Sequence, residues 1–132
     1  MAVCLNKKDL VAAANLYAFS RVYGLVDAKR VTDRSAHQAI MVLQMDAIGN
    51  LSSEELNSFS QVMKATLLTG SDSLNGLCKK IRIVGAPHYY PAYMAQHGMG
   101  AFMGGQSSVD QSVDVTKAFT ELLTQTLHCN PE

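Results

Sequence analysis

The sequence predicts an α+β fold: a mostly helical single domain, residues 1–132, with four to five helices and a small sheet around a strand at 80–85. Apolar residues recur at helical spacing in several segments. The segment KKIRIV instead alternates, with Ile81 and Ile83 on one face, as in a half-buried strand. A lone strand cannot satisfy its hydrogen bonds. We therefore expect it to pair with residues 2–5, with a strand within 104–115, or with its own copy across a dimer.

The first elements are a candidate edge strand at 2–5 and a helix that Asn6 can cap, from Lys7 to about Tyr23. Residues 25–31 are a short helix or a connector. Asp33 can cap the next helix, which ends near Ile48. This helix is apolar nearly all round, which is typical of a central core helix or of an oligomer interface.

The second half begins with a capping box, in which Ser52 and Glu55 satisfy each other's backbone N–H groups at the start of a helix that ends near Thr69. A turn and a short helix at 71–78 precede the strand. Pro91 can start a helix from Ala92 to His97 that can extend to Met103. A turn at 104–111 and a last helix from Ser112 to Leu127 complete the prediction.

The composition excludes a global electrostatic attraction to nucleic acid or to an acidic membrane. The 132 residues carry 11 basic and 11 acidic side chains, and the charged fraction is 17%, below the typical value of about 25%. The apolar fraction is 48%. Such a surplus of apolar residues fills an unusually large core or forms an interface. No apolar run has the length of a membrane span, which needs about 20 residues, and the N-terminus lacks the apolar run of a signal peptide.

The three cysteines, Cys4, Cys78 and Cys129, are odd in number and far apart. This spacing argues against a disulfide framework and favours a reducing cytosol.

The longest uncharged stretch, residues 83–109, contains most of the candidate functional residues. Its Tyr and Met side chains, separated by Gly and Ala, form an adaptable apolar surface of the kind that binds partners. The candidates for contact with a partner or with a second copy are Tyr89, Tyr90, Tyr93, Met94, Met99, Phe102 and Met103.

A second interpretation of this region is contact with single-stranded RNA. Lys79, Lys80 and Arg82 precede the tyrosines at 89, 90 and 93, so cations for phosphates would lie beside rings on which bases can stack. The basic and aromatic face 79–93 is therefore an alternative nucleic-acid interface. Lysines that protect a strand edge would give the same pattern.

Three kinds of chemical site find no support in the spacing. Gly85-Ala86-Pro87 follows the predicted strand but lacks both phosphate-binding glycine motifs. His88, His97, His128 and Cys129 match no metal-binding pattern, so neither a metal nor another cofactor is predicted. No nucleophile signature surrounds Cys78 or Cys129. A small enzyme centred on His88 or His97 stays a further alternative, whose carboxylate partner must come from outside 83–109.

Four segments together resemble the small inner core protein of the cystoviruses, the enveloped double-stranded RNA bacteriophages. They are the apolar helix AIMVLQMDAIGN, the helix SFSQVMKATLL, the strand and turn IRIVGAPHYY, and the short helix PAYMAQHG, and the similarity covers roughly residues 36–97. The resemblance implies a non-enzymatic component of the polymerase complex that assists capsid assembly and RNA packaging. It transfers no catalytic residue. The chain ends at Cys129-Asn-Pro-Glu without the acidic tail of that family.

The sequence and this resemblance lead to one main hypothesis: a non-enzymatic assembly protein of a viral particle, without catalytic residues and acting through protein contacts. The expected partners are a second copy in a homodimer, the capsid shell protein and the viral polymerase, with no membrane. The expected location is the virion interior, and the bacterial cytoplasm during assembly.

Overall fold

A long central helix organises the architecture in the computed structural model, which describes residues 1–105 and 108–132. This helix, α2, packs against the first helix, against the two that follow it and against the last one. The described helices are α1 (Ala2–Asn6), α2 (Leu10–Arg30), α3 (Ala39–Ile48), α4 (Ser53–Thr66), α5 (Asp72–Val84), α6 (Ala92–Ala95), α7 (Met99–Phe102) and α8 (Val115–Leu127), with a 3-10 helix at Arg34–Gln38 before α3.

The fold is all-α over these residues, so the predicted α+β class is wrong. Residues 80–84 of the predicted strand belong to α5, which Ser71 caps by accepting a hydrogen bond from the Leu74 backbone N–H at 3.2 Å. The buried residues of α5 lie at helical spacing, and they are Leu74, Leu77, Cys78 and Ile81. Ile81 is 0% exposed and Ile83 is 85% exposed, so the two isoleucines do not share a face. The alternation in KKIRIV was therefore misleading, and the helical pattern that begins at Leu74 determines the structure.

The strand partners proposed for residues 80–85 are also missing from the described part of the chain. Residues 2–5 lie in α1, and the one bridge between extended segments joins Val31 to Val109 in antiparallel orientation. A sheet completed across a dimer is also excluded, because residues 80–84, which were to form its strand, are helical. The turn predicted at 104–111 includes Gln106 and Ser107, which lie outside the described residues.

Helix α2, which corresponds to the helix predicted from Lys7 to about Tyr23, starts later than predicted and is longer. Asp9, and not Asn6, caps α2 by accepting a hydrogen bond from the Ala12 N–H at 3.1 Å. The helix continues past Tyr23, its predicted end, and through Gly24 to Arg30. A Cβ atom at Gly24 would overlap the side chain of Ile40 on α3, so glycine serves here as a point of close helix contact. The predicted capping box at Ser52 and Glu55 is confirmed, with both reciprocal hydrogen bonds present.

The largest buried cluster joins α2, α5 and α8, and the ring of Tyr23 lies within it, stacked on Phe19 and edge-on to Phe119. Cys78 on α5 and Cys129 after α8 form a disulfide, with their Cα atoms 5.8 Å apart. The argument from spacing against a disulfide is therefore wrong for this pair, because the fold brings together two residues that are 51 positions apart; Cys4 is free. The inference of a reducing cytosol from the cysteines loses its basis with it. No helix in the described ranges has the length and apolar character needed to cross a membrane.

Candidate functional site

An extended segment at 85–91, which we call the strap, crosses one face of α2. It begins at Gly85, whose φ of +83° ends α5 in a conformation that glycine adopts without strain. The hydroxyl of Tyr23 donates a hydrogen bond to the Gly85 carbonyl, and Arg30 Nη2 donates one to the Tyr89 carbonyl at 2.8 Å. Tyr23 and Arg30 lie on α2 about one helical turn before and one turn after Asp27, and together they hold the backbone of the strap.

Asp27 lies between these two residues on α2 and is 0% exposed. Its Oδ2 atom accepts hydrogen bonds from the hydroxyls of Tyr89 at 2.8 Å and Tyr93 at 2.9 Å, and its Oδ1 atom contacts Arg30 Nη1 at 3.2 Å. A buried carboxylate is tolerated only when it is paired and hydrogen-bonded in this way. Asp27 therefore anchors both the strap and the start of α6 to α2.

The protonation states follow from this burial. Desolvation raises the pKa of Asp27 above its ordinary value, although the two tyrosines and Arg30 act in the opposite direction. Burial, together with the neighbouring Asp27, raises the pKa of Tyr89 and of Tyr93 far above the ordinary value. Both phenols therefore remain hydrogen-bond donors over the physiological range, which makes this network a structural anchor.

An open apolar cleft of about 630 Å³ lies between the strap and the pair α2 and α3. Its volume falls within the roughly 300–1,000 Å³ of clefts that hold drug-sized ligands. The residues that line this strap cleft are Phe19, Ser20, Tyr23, Gly24, Ile40, Leu43, Val84, Ala86, Pro87, His88, Tyr89 and Tyr93. The side chains of Asp27 and Arg30 do not line it, so its walls carry almost no charge.

Helix α3 forms one side of this cleft and presents an apolar face to solvent. Only Ala39, Ile40 and Gln44 of α3 are buried, and the Gln44 amide donates a hydrogen bond to Ser20 Oγ on α2 at 2.8 Å. Four large apolar side chains are each about half-exposed or more, and they are Met41, Val42, Leu43 and Met45. On the side away from the strap, a second groove of about 290 Å³ is lined by Tyr17, Arg21, Met41, Gln44, Met45 and Ile48. We call the exposed face of α3 with the two clefts beside it the contact surface.

A second exposed apolar group lies on α7. Phe102 is 83% exposed, and Met99 and Met103 are also largely exposed. The 3-10 helix region fixes the start of α7, because Ser35 Oγ accepts a hydrogen bond from the Met99 N–H at 2.8 Å and Asp33 Oδ2 accepts one from the Gly100 N–H at 3.1 Å. A Cβ atom at Gly98 would lie 2.7 Å from the Ala36 backbone nitrogen, so this contact requires glycine.

The structure separates the residues predicted for partner contact into three groups. Tyr89, Tyr90, Met99, Phe102 and Met103 are exposed. Tyr93 is half-buried, with its hydroxyl bound to Asp27. Met94 is 0% exposed and packs with Val31, Ala36 and Ala39 in a small core cluster, so the prediction that it contacts a partner is wrong.

The residues predicted for RNA contact lie on α5. Lys79 and Lys80 are exposed. Arg82 contacts the Glu132 carboxylate at 3.6 Å and donates a hydrogen bond to the Asn130 carbonyl, so part of its charge is neutralised within the chain. Two of the three tyrosines also use their hydroxyls for Asp27. RNA contact stays a prediction.

Neither histidine of the enzyme alternative, His88 or His97, is paired with a carboxylate in the described residues. His88 is exposed at the rim of the strap cleft, and His97 is half-buried. In residues 1–105 and 108–132, no carboxylate forms a hydrogen bond with either ring, and no three His, Cys, Asp or Glu side chains lie close enough together to bind a metal ion.

Comparisons with protein families, with curated proteins and with solved structures give no match for this chain. The exposed apolar face of α3 and the clefts beside it are the features of the described residues that point to a function.

Sequence reasoning identified α3 as a core helix or an interface helix, but it did not place α3 among the site residues. It also missed Asp27. The sequence contains a signal for Asp27, because extending the stripe of buried residues Val22, Tyr23 and Val26 by the helical period places the carboxylate among apolar side chains.

Proposed function

We propose that this protein is a non-enzymatic assembly protein that binds other proteins through the contact surface. The exposed face of α3 is the observation that carries the proposal. Contiguous apolar patches on a soluble protein mark interaction sites, and burying four half-exposed large side chains contributes roughly 1 kcal/mol each. The strap cleft beside α3 supplies a pocket for anchoring side chains of a partner, as at the centre of protein interfaces.

The resemblance to the cystovirus inner core protein suggests what those partners are. It favours the capsid shell protein and the viral polymerase, with the protein in the virion interior and, during assembly, in the bacterial cytoplasm. One of the four segments that carry the resemblance, the apolar strand, is part of helix α5. This finer part of the proposal thus depends on the other three segments.

A site-specific crosslinking experiment tests whether α3 contacts proteins. A photoreactive phenylalanine analogue is placed at Val42 of the full chain, and at the exposed Gln61 on α4 as the matched control. Both versions are irradiated in the cells or particles that naturally contain the protein. We expect discrete protein adducts from position 42 that are lacking from position 61. The proposal fails if both positions give the same adducts or if position 42 gives none.

A further inference from the structure

We propose that a second copy of this chain covers the contact surface, with α3 of each copy lying against the other across a two-fold axis. This inference rests on the proposed function, since it names one partner for the same surface. Three observations lead to it: the shape of the surface, its charge and its size.

The shape of the surface is complementary to itself. Helix α3 is a ridge with the strap cleft on one side and the smaller groove, which contains Met41 and Met45, on the other. In a two-fold interface the same patch occurs on both subunits, so that residue i contacts j and j contacts i. A surface that carries both a ridge and adjacent grooves of the same apolar character meets this requirement. The strap cleft, at about 630 Å³, has room for several side chains of the facing α3.

The charges on the surface are compatible with self-contact. A two-fold axis brings like groups close to each other, so a patch of one sign would repel its own copy. Asp46 is the one charged residue within α3, and Arg21 is the one charged residue that lines the smaller groove. Each copy therefore brings one charge of each sign, and the formal net charge of the chain is zero, so no long-range repulsion opposes association.

The exposed area of two copies reaches the lower end of the range for stable interfaces, about 1,200 Å² in total. Val84 and Tyr89 line the strap cleft and are also about half-exposed. With the four α3 residues they make six large side chains, which at roughly 100 Å² each present about 600 Å² before the smaller cleft-lining groups are added; a standard interface buries about 800 Å² per partner.

The experiment measures the mass of the purified full chain by light scattering and by sedimentation over a range of concentrations. We expect a concentration-dependent shift from the 14.3 kDa monomer to twice that mass. Leu43→Lys introduces one lysine on each copy, and the two-fold axis brings the two like charges close together. We expect it to raise the dimer dissociation constant by about 100-fold or more. Leu68→Lys is the matched control, because Leu68 is an exposed leucine that lines neither cleft, and it should leave the constant unchanged.

Two outcomes would overturn the inference. One is a wild-type chain that stays monomeric at hundreds of micromolar, a result that needs no variant and is independent of any folding defect. The other is a dimer that Leu43→Lys and Leu68→Lys affect equally. Equal thermal melting of the two variants shows that both are folded. A monomer that still crosslinks other proteins from position 42 would reject the second copy and leave the proposed function intact.

Discussion

The carboxylate of Asp27 contacts three side chains that together hold the strap and α6 on α2. Replacing it in Asp27→Ala would leave Arg30, Tyr89 and Tyr93 without their shared acceptor in a buried position. Breaking a buried pair from one side costs about 3–5 kcal/mol, so we expect the free energy of unfolding to fall by about 3 kcal/mol. Glu121→Ala, an exposed substitution on α8, should change it by less than about 0.5 kcal/mol. Urea unfolding measures both variants, and equal effects would contradict the role assigned to Asp27.

The pH dependence of stability provides a second readout of the same carboxylate. Burial raises the pKa of Asp27 above its ordinary value of 3.8. The folded chain therefore binds the proton of Asp27 more tightly than the unfolded chain does. Binding of this proton stabilises the fold fully below pH 3.8, and this stabilisation is lost as the pH rises through the raised pKa. Hydrogen bonds from Ser52 and Ser112 lower the pKa values of Glu55 and Asp110, so the contribution of these two carboxylates to stability is lost as the pH falls. Both carboxylates are present in the wild type and in Asp27→Asn, so a comparison of the two proteins isolates the effect of Asp27. The stability of wild type relative to Asp27→Asn should therefore decrease with rising pH, and an increase would contradict the assignment.

At the scale of elements, α5 offers a direct test of helix against strand. Ile81 is buried and Ile83 is exposed, whereas a half-buried strand would place both on one face. We expect Ile81→Ala to lower the free energy of unfolding by about 2–5 kcal/mol, because it leaves a cavity. The matched substitution Ile83→Ala should change it by less than about 0.5 kcal/mol. Chemical denaturation of the two variants distinguishes these cases, and similar losses at both positions would support the strand.

The start of a helix could be predicted where capping residues mark it in the sequence. The capping box at Ser52 and Glu55 fixed the start of α4, and the reciprocal hydrogen bonds are present. α5 carries comparable signals, with Ser71 at its start and Gly85 after its end, but β-branched residues near the end of the helix imitate a strand. Local alternation over six residues cannot distinguish the two structures. The longer helical spacing from Leu74 to Ile81 can, because it extends over two turns.

At the scale of the whole molecule, the contact surface could be predicted only in part. The sequence indicated that α3 is apolar nearly all round, but which of its faces is exposed depends on Gly24, which lets α3 approach α2 closely through Ile40. The position of the strap depends in the same way on a pairing between residues more than 60 positions apart, from Asp27 to Tyr89 and Tyr93. Such long-range contacts have no local sequence pattern. Of the predicted contact residues, Met94 is directed inward because it fills the small cluster beside α3.

The disulfide between Cys78 and Cys129 ties the end of α8 to α5 and closes a segment of 51 positions. A crosslink over a loop of this length restricts the unfolded chain and stabilises the folded state by about 4 kcal/mol in the chain-entropy description. We therefore expect a dithiol reductant to lower the free energy of unfolding of the wild type and of Cys4→Ala by the same amount, about 4 kcal/mol.

Cys4→Ala is the matched control because Cys4 is the free cysteine. The double variant Cys78→Ala with Cys129→Ala should begin at the lower stability and show no response to the reductant. Urea unfolding with and without the reductant measures all three proteins. A wild type whose stability does not respond to the reductant would show that the crosslink does not contribute to the stability of the fold.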